Sequence, residues 1–543
     1  MKIVIIGGVA TGMSAATRAR RLDEHADITI YEKSGNVSYA NCGLPYYLGG
    51  VIEHRTSLLL QTPESLNKRF NLDVRVNHEV MSIDPASKSV KITNLENGKT
   101  FEDTYDQLVI ATGAKPKNLD IPGIERSLHL RNVEDIDLLK DRIESVDKKT
   151  AVILGAGFIG IETAENLHKA GFTVSIITPG TQILSSFDPE IVEPFQARLI
   201  ASNVDLRFGV TATEITDETV VLSDGTQLPA AIVINAAGIT PDTHLAGQAN
   251  LKLGVNGGIW VDDKQRTSNA NIFAGGDAAL KPHELLGEDS LIPLANLANR
   301  HGRAIADAIF GVDTKTSTSI GTAIIGAFGY TLAMTGLTEK NAKDFSIIHL
   351  HPSNHAGYYP DAKPISLKVV FDSESGKILG AQAAGEDGVD KRIDVIATAI
   401  KGSLTINDLM DLELSYAPQY GSAKDAINQA GYVGNNVITG NTPTLQWHQL
   451  DRYLADGWLL VDVRTADEHN RGYIPGSINI PVDEIRNKLS ELQNKQIVVH
   501  CQVGQRGHTA TQILKGHGIE VMNLDGGYKT WHSGMNARKR KEG

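Results

Sequence analysis

The chain has 543 residues, 41% of them apolar and 21% charged, with a net charge of −12. This is the composition of an ordinary folded protein, and at roughly 150 residues per domain it implies three or four domains. The acidic balance speaks against a nucleic-acid partner, though not against a local basic pocket for a phosphorylated ligand. No apolar run approaches the ~20 residues of a membrane helix. Met1-Lys2 leads straight into Ile3-Val4-Ile5-Ile6 and then glycines, without the pattern of a signal peptide, so a cytoplasmic protein with no membrane partner is expected. Cys42 and Cys501 are the only cysteines. A disulfide framework and a four-cysteine metal site are thereby excluded, and no metal site is expected.

In chain order, strand-like runs alternate with helical patterns through the first 300 residues, the signature of βαβ units and parallel sheets. The run 2–6 is followed by Gly7-Gly8-Val9-Ala10-Thr11-Gly12 and a helix over 13–22. The run 151–154 is followed by Gly155-Ala156-Gly157-Phe158-Ile159-Gly160 and a helix over 161–170. Such a turn between strand and helix lets the backbone approach a pyrophosphate, whose charge rests on the helix N-terminus. Two dinucleotide-binding folds, one inserted in the other, are therefore expected. Beyond residue 320 the pattern becomes α+β, with strands over 365–371 and 378–384. A short linker around Gly440, Asn441 and Pro443 precedes a final αβ unit with strands over 459–463 and 497–501. The expected domains are 1–116 with 241–320, 117–240, 321–440 and 445–536.

Glu32, followed by Lys33, ends the strand 28–31 twenty residues after Gly12, where a carboxylate would hold a ribose hydroxyl. Ala111-Thr112-Gly113 follows the strand 108–110, and a further strand runs into Gly275-Gly276-Asp277. With the first glycine loop these segments resemble the FAD site of flavoproteins built on two dinucleotide-binding domains. The resemblance implies that the second loop takes the nicotinamide cofactor and that Glu162 lies near the nicotinamide. The strand 174–177 ends in Thr178-Pro179-Gly180, with neither an acid for a 2′-hydroxyl nor a cation for a 2′-phosphate, so NADH and NADPH both stay open.

Cys42 lies in Ser38-Tyr39-Ala40-Asn41-Cys42-Gly43-Leu44-Pro45-Tyr46-Tyr47. The glycine keeps the thiol approachable, and a helix starting near Leu44 is expected to favour the thiolate. With no second cysteine two to five residues away, dithiol chemistry is impossible. Cys42 must form a mixed disulfide, a persulfide or a sulfenic acid. The opening Gly-Gly-Val-Ala, the Ser-x-x-x-Cys-Gly-x-Pro-Tyr-Tyr segment and Ala295 to Arg303 (Ala-Asn-Leu-Ala-Asn-Arg-His-Gly-Arg) resemble the coenzyme A–disulfide reductases over residues 1 to about 440. These are a single-cysteine branch of the pyridine nucleotide–disulfide oxidoreductases. The resemblance implies FAD, NADH or NADPH, and a homodimer in which the third domain of one subunit completes the other's site. It further implies that Tyr416, and Tyr358 or Tyr359, reach the partner's cysteine. Coenzyme A, as substrate or bound ligand, carries three phosphates and needs cations. Arg18, Arg21 and Arg300 are the candidates among Arg18, Arg20, Arg21, Arg300 and Arg303, with Ser38 and Asn41 near the pantetheine thiol.

His500-Cys501 ends a strand, and Gln502-Val503-Gly504-Gln505-Arg506 opens a helix. A strand–Cys-loop–helix gathers backbone N–H groups around the sulfur, which suits an anion or a persulfide. The Cys-x4-Arg spacing, Asp462-Val463-Arg464, Gly472-Tyr473-Ile474-Pro475-Gly476 and Asp525-Gly526-Gly527 ahead of Trp531 resemble the rhodaneses over about 445–535, with Cys501 and Arg506 in the catalytic loop. The fold expected is thus α/β: two nested Rossmann-like dinucleotide-binding domains, an α+β dimerisation domain and a C-terminal α/β rhodanese domain. The function expected is FAD-dependent NAD(P)H reduction of a small thiol persulfide, polysulfide or disulfide, coupled to sulfur transfer. The alternative is an NADH oxidase or peroxidase that cycles Cys42 through a sulfenic acid.

Overall fold

Runs such as Ile3-Val4-Ile5-Ile6 are apolar on both faces, so they stabilise a strand only when both sides of the sheet are covered. In the computed structural model, which describes residues 1–313, 316 and 318–542, they form parallel sheets. The first has the order Ile272–Ala274, Gln107–Ile110, Lys2–Ile6, Asp27–Tyr31, Asp73–Arg75. The second has the order Asp205–Phe208, Thr173–Thr178, Thr150–Leu154, Ile232–Asn235. Each carries a three-stranded antiparallel flank, 78–104 beside the first and 212–229 beside the second. All of this lies in one compact unit, Met1–Pro179 with Val204–Ser319.

The two glycine-loop helices begin three residues earlier than the sequence pattern predicts, at Ala10 and at Phe158. The reason is that Gly12 and Gly160 are helical residues. A Cβ at Gly12 would lie 1.9 Å from the Gly7 carbonyl oxygen, and one at Gly160 would lie 2.2 Å from that of Gly155. These glycines serve close packing, although by composition they read as loop. The helix Ala10–Leu22 runs against Ala295–Ile309, with Thr11 Oγ1 donating to the Ala298 carbonyl at 3.0 Å.

The second unit, Gly180–Asn203 with Ile320–Gly543, holds a five-stranded antiparallel sheet and a five-stranded parallel one. The antiparallel order is Ala323–Ala327, Tyr330–Gly336, Ile378–Gly385, Ile365–Asp372, Phe345–Leu350, with helices Val389–Lys401 and Ala426–Ile438 beside it. The parallel order is Thr444–Leu445, Val521–Leu524, Ile497–His500, Leu459–Asp462, Ile478–Asn479. The segment expected to be a plain linker is pinned. Lys515 Nζ donates to the carbonyls of Gly440 and Asn441 at 2.9 and 3.0 Å, and Thr442 Oγ1 meets His508 Nδ1 at 2.7 Å.

The helix Pro189–Ala201 packs in this second unit, although its sequence falls inside the stretch 117–240 assigned to one nucleotide fold. Its buried acids explain the placement, since a buried carboxylate requires a cation. Glu193 pairs with Arg540 at 3.0 Å, so the basic run Arg538-Lys539-Arg540-Lys541 near the end of the sequence makes a structural contact. Glu190 pairs with Lys368 at 2.5 Å and with His349 at 3.1 Å. His349 also meets Asp525 at 2.7 Å, which joins the antiparallel sheet to the segment after Val521–Leu524. Asp188, Glu190 and Glu339 converge in the geometry of a metal site, but the Lys368 ammonium lies among them, 2.8 Å from both Asp188 and Glu339. Burial opposes that ammonium's charge, and the three carboxylates outweigh burial and hold its pKa above the ordinary lysine value.

Candidate active sites

The first site grows from the end of the strand Lys2–Ile6. Gly7 sits at φ +102°, and a Cβ there would lie 2.3 Å from the Ala111 carbonyl oxygen, so the Gly7 turn and Ala111-Thr112-Gly113 abut. Glu32 accepts from the amides of Gly8 at 2.6 Å and Ser34 at 2.8 Å. Burial still pushes its carboxyl up, leaving it an environment that a further donor such as a ribose hydroxyl would relieve. Asp277 Oδ1 is buried with no partner among the described residues, at the end of the strand Ile272–Ala274. His301 is pushed down to about 3, by burial first and then by Lys281. Its neutral ring can therefore accept from the Gly276 amide, 3.3 Å from Nδ1. Lys281 is pushed down to about 8 by burial and donates to the carbonyls of Gly276 and Ala279. A cradle closed to a Cβ, a buried Glu32 with room for a further donor and a buried Asp277 oxygen without a hydrogen bond together fit a dinucleotide carrying a polyol. Lys33 does not join them; its ammonium meets Glu79 at 2.7 Å on the exposed surface.

The second glycine loop repeats this geometry. Gly155 has φ +111°, with Ala236 in the role of Ala111, and Gly157 faces open space where the backbone meets the start of the helix Phe158–Lys169. Ile159 is exposed in its first turn. One turn further on, Glu162 Oε1 receives the Tyr46 hydroxyl at 3.3 Å.

Cys42 is exposed, in a three-residue 3₁₀ turn, Asn41–Gly43, followed by the short helix Leu44–Leu48. The expected thiolate-favouring helix is thus only five residues long. Protein close around the sulfur pushes the thiol above its ordinary pKa, and the carboxylates of Glu162 and Asp277 add to the effect. Asn41 Oδ1 accepts from the Cys42 amide at 3.1 Å. Ser38, in the left-handed region at φ +48°, donates its amide to the Gly8 carbonyl and so ties this segment to the first glycine loop. Burial pushes Glu162 up, and it pushes the Tyr46 phenol up to about 12 with help from Glu162. Near neutral pH, Tyr46 is a proton donor beside an acid of raised pKa. Of the expected phosphate cations, Arg18 is paired with Asp307 at 2.7 Å, Arg21 is exposed near the Phe70 ring, and Arg300 is exposed on the helix that begins at Ala295.

In the second unit, Tyr358 and Tyr416 share a hydroxyl–hydroxyl contact of 3.0 Å and are 77% and 49% exposed. Tyr359 instead packs edge-on against His355. Tyr358 is thus the member of the adjacent pair that joins Tyr416.

The other cysteine is built differently. Cys501 is buried at the end of Ile497–His500, and its Sγ accepts from the Gly504 amide at 3.1 Å, one residue before the helix Gln505–Gly516. The amides of Tyr528 and Lys529 donate to the carbonyls of Cys501 and Gln502 and clamp the loop from the Asp525-Gly526-Gly527 side. A Cβ on Gly527 would lie 2.5 Å from the Cys501 carbonyl oxygen. Beneath the loop, Asp462 holds the Arg464 guanidinium through Nε and NH2 and accepts from His469 Nδ1 at 2.9 Å. Arg464 NH1 reaches Gln502 Oε1 at 3.0 Å. Burial would raise Asp462, but the hydrogen bonds from Arg464 and His469 outweigh it and hold the carboxyl down. His500 is pushed down to about 4 by burial and is neutral. Arg506 makes a two-point pair with Glu468, both contacts 2.7 Å, and this holds Glu468 down to about 2.

Tyr46, His301 and Gln502 lie inside the motifs read from the sequence but have no role assigned there, and Lys281 and Glu468 lie outside them. Glu468 was masked by its spacing, because Thr465-x-x-Glu468 is also a helix capping box, and the structure forms that box as well.

Residues 1–302 match the pyridine nucleotide-disulphide oxidoreductase family, 323–426 match its dimerisation domain, and 446–534 match the rhodanese-like domain. The chain belongs to the pyridine nucleotide-disulphide oxidoreductase family. It is a flavoprotein oxidoreductase, using FAD and NAD(P)H, with a C-terminal rhodanese domain. It is 34% identical over 434 residues to a coenzyme A disulfide reductase of Staphylococcus aureus, covering 79% of this chain and 99% of that relative. It is 43% identical to the reduced CoADR-RHD of Bacillus anthracis, with a TM-score of 0.97 over 99% of this chain and 98% of the other. It is 35% identical to an NAD-dependent persulfide reductase of A. fulgidus, with a TM-score of 0.91 over 98% of this chain and all of that one. No helix among the described residues is long and apolar enough to cross a membrane.

Proposed function

We propose that this family member reduces a small thiol persulfide, polysulfide or disulfide, with coenzyme A as the thiol, and that its rhodanese domain handles the sulfane sulfur. One observation carries the reading: the chain's only two cysteines fall one in each reactive frame, Cys42 beside Glu162 and Tyr46, Cys501 in the clamped loop. The names of the Staphylococcus, Bacillus and A. fulgidus relatives support the substrate class. In this reading the subunits are cytoplasmic homodimers. Arg21 and Arg300 would take phosphates of coenzyme A, with Ser38 and Asn41 flanking its thiol end.

Gly7 to Gly12, Glu32, Ala111 to Gly113 and Asp277 would hold FAD and Gly155 to Gly160 would hold NAD(P)H, and the bound pair would supply two electrons to the sulfur on Cys42. The Cys42 thiolate attacks the sulfane sulfur of R–S–SH. The S–S bond breaks, R–S⁻ leaves with the electron pair, and Cys42 carries S–SH. Two electrons then break that second S–S bond, which regenerates the thiolate and releases hydrosulfide. Overall, R–SSH, NAD(P)H and a proton give R–SH, hydrogen sulfide and NAD(P)⁺. Raising the Cys42 thiol pKa makes the sulfur a stronger nucleophile once ionised. The Glu162 carboxylate, which accepts from the Tyr46 hydroxyl, would hold the proton that Cys42 gives up, and Tyr416 and Tyr358 of the partner subunit would protonate the departing thiolate.

The test is NADH and NADPH oxidation with coenzyme A persulfide, coenzyme A disulfide, polysulfide and oxygen, in wild type and Cys42→Ser. The reading expects persulfide or disulfide turnover that the variant loses while it keeps FAD. More than a few per cent residual activity would remove Cys42 from the reaction. Oxygen as the best acceptor would make the protein an NADH oxidase.

A further inference from the structure

Two guanidiniums stand at the Cys501 loop, and each is already matched by a carboxylate. Arg464 is held by Asp462 through two nitrogens, and Arg506 is held by Glu468 through two contacts of 2.7 Å. Arg506 is the one cation among loop residues 502–506, and it also feels the charge of the Cys501 sulfur. The adjoining His500 is neutral. Each arginine is thus matched by one carboxylate, and the two pairs bring no net charge to set against an ionised Cys501. We propose that Glu468 sets the donor class of this loop, selecting persulfides of low charge at the reacting end over the thiosulfate dianion. The proposal rests on the reading of Cys501 as a sulfur acceptor.

The two donors make different electrostatic demands. In the first, Cys501–S⁻ attacks the sulfane sulfur of R–S–SH, the S–S bond breaks, R–S⁻ leaves with the electron pair, and Cys501–S–SH forms. One negative charge is present throughout. In the second, Cys501–S⁻ attacks the outer sulfur of S–SO₃²⁻ and sulfite dianion leaves with the pair, so three negative charges share the loop. Backbone amides and a free Arg506 would ease that crowding, but the Glu468 carboxylate cancels the arginine.

The experiment measures kcat/KM for sulfur transfer from thiosulfate and from glutathione persulfide to cyanide, in the full-length holoenzyme, for wild type, E468Q and E468D. Using the ratio of the two donors cancels any general loss of folded enzyme. The thiosulfate-to-persulfide ratio should rise about tenfold or more in E468Q, as for removal of one like charge a few ångströms away. Added salt should depress the thiosulfate rate of E468Q more than that of wild type. E468D keeps the charge and should keep the wild-type ratio. An unchanged or lower ratio in E468Q, or an equal rise in E468D, overturns the proposal. Mass analysis of wild-type Cys501 separates the underlying reading: if neither donor adds a sulfur to it, sulfur transfer itself fails and the proposal falls with it. If sulfur is added and the ratio does not move, only the role of Glu468 fails.

Discussion

His349 is buried between Asp525 and Glu190, its two ring nitrogens 2.7 and 3.1 Å from their carboxylates. Burial would lower its pKa, but the two hydrogen bonds outweigh burial and push it up to about 9 from an ordinary 6.5. A raised pKa contributes stability that is fully present below 6.5 and is lost as the pH rises through about 9. At ~1.4 kcal/mol per pH unit, the gap is worth about 3 kcal/mol. Lys368 is held above its ordinary value, Glu190 is held far below its own, and burial keeps His351 neutral. The perturbation is His349→Gln, which keeps hydrogen-bonding capacity and cannot carry charge. Denaturant unfolding should be followed by tryptophan fluorescence in a Trp260→Phe background, so that the signal comes from Trp447, Trp458 and Trp531 in the rhodanese domain. The stability difference between wild type and variant should shrink by about 3 kcal/mol between pH 6.5 and 9.5. Parallel curves across that range would show that the histidine is neutral and that hydrogen bonding alone joins the two sheets.

Tyr416→Phe should lower kcat with FAD retained, and mixing it with Cys42→Ser subunits should restore part of the activity, because one mixed dimer holds an intact site. No recovery after confirmed subunit exchange would place Tyr416 outside the partner's reaction. Cys501→Ala should leave reduction of preformed coenzyme A persulfide near wild type and abolish sulfur transfer to cyanide, measured side by side. Equal loss in both assays would mean that the cysteines act in one obligatory relay. Asp525→Asn removes the charge that His349 meets, and at pH 6.5 it should destabilise the rhodanese domain by about 3–5 kcal/mol, the cost of leaving a buried charge with one partner fewer; the same tryptophan signal reports it.

The motifs legible in the sequence are those whose chemistry is local. A glycine that must let a carbonyl pass, as at Gly7 and Gly155, and a cysteine between strand and helix, as at Cys501, have their cause within a few residues. The nested sheets follow from the same apolar runs. What was hidden depends on partners far away in the chain. Glu190 meets residues 159 and 178 positions later, and nothing in the helix Pro189–Ala201 marks it as buried against a histidine and a lysine. Arg540 reads as a solvated tail until Glu193 is set opposite it. Other residues carry two roles, of which the sequence displays one. Glu468 completes a capping box with Thr465, and that local explanation conceals its pair with Arg506. Cys42 shows the converse, since the helix expected to acidify its thiol is one turn long and the nearby acids act in the opposite direction.

These long-range contacts bear on how sulfur moves. A rhodanese domain on a free tether would carry Cys501 through a wide volume and hand its sulfur over by swinging. Here the tether is fastened by Lys515 and His508. The domain is also joined to the antiparallel sheet through Asp525 and His349, and its last helix reaches Glu193 on the helix Pro189–Ala201 through Arg540. Releasing Cys501 to swing would require breaking a buried ion pair, a surface that proteins give up only at several kcal/mol. The loop itself is clamped by the amides of Tyr528 and Lys529. On the proposed function, sulfur would leave Cys501 on a small carrier. A long flexible thiol suits that task, since it can accept sulfane sulfur at one anchored cysteine and present it to another. On that reading, coenzyme A persulfide formed at Cys501 and consumed at Cys42 would make the rhodanese and reductase domains successive stations for one carrier, which would give a reductase and a sulfurtransferase a shared task in a single chain.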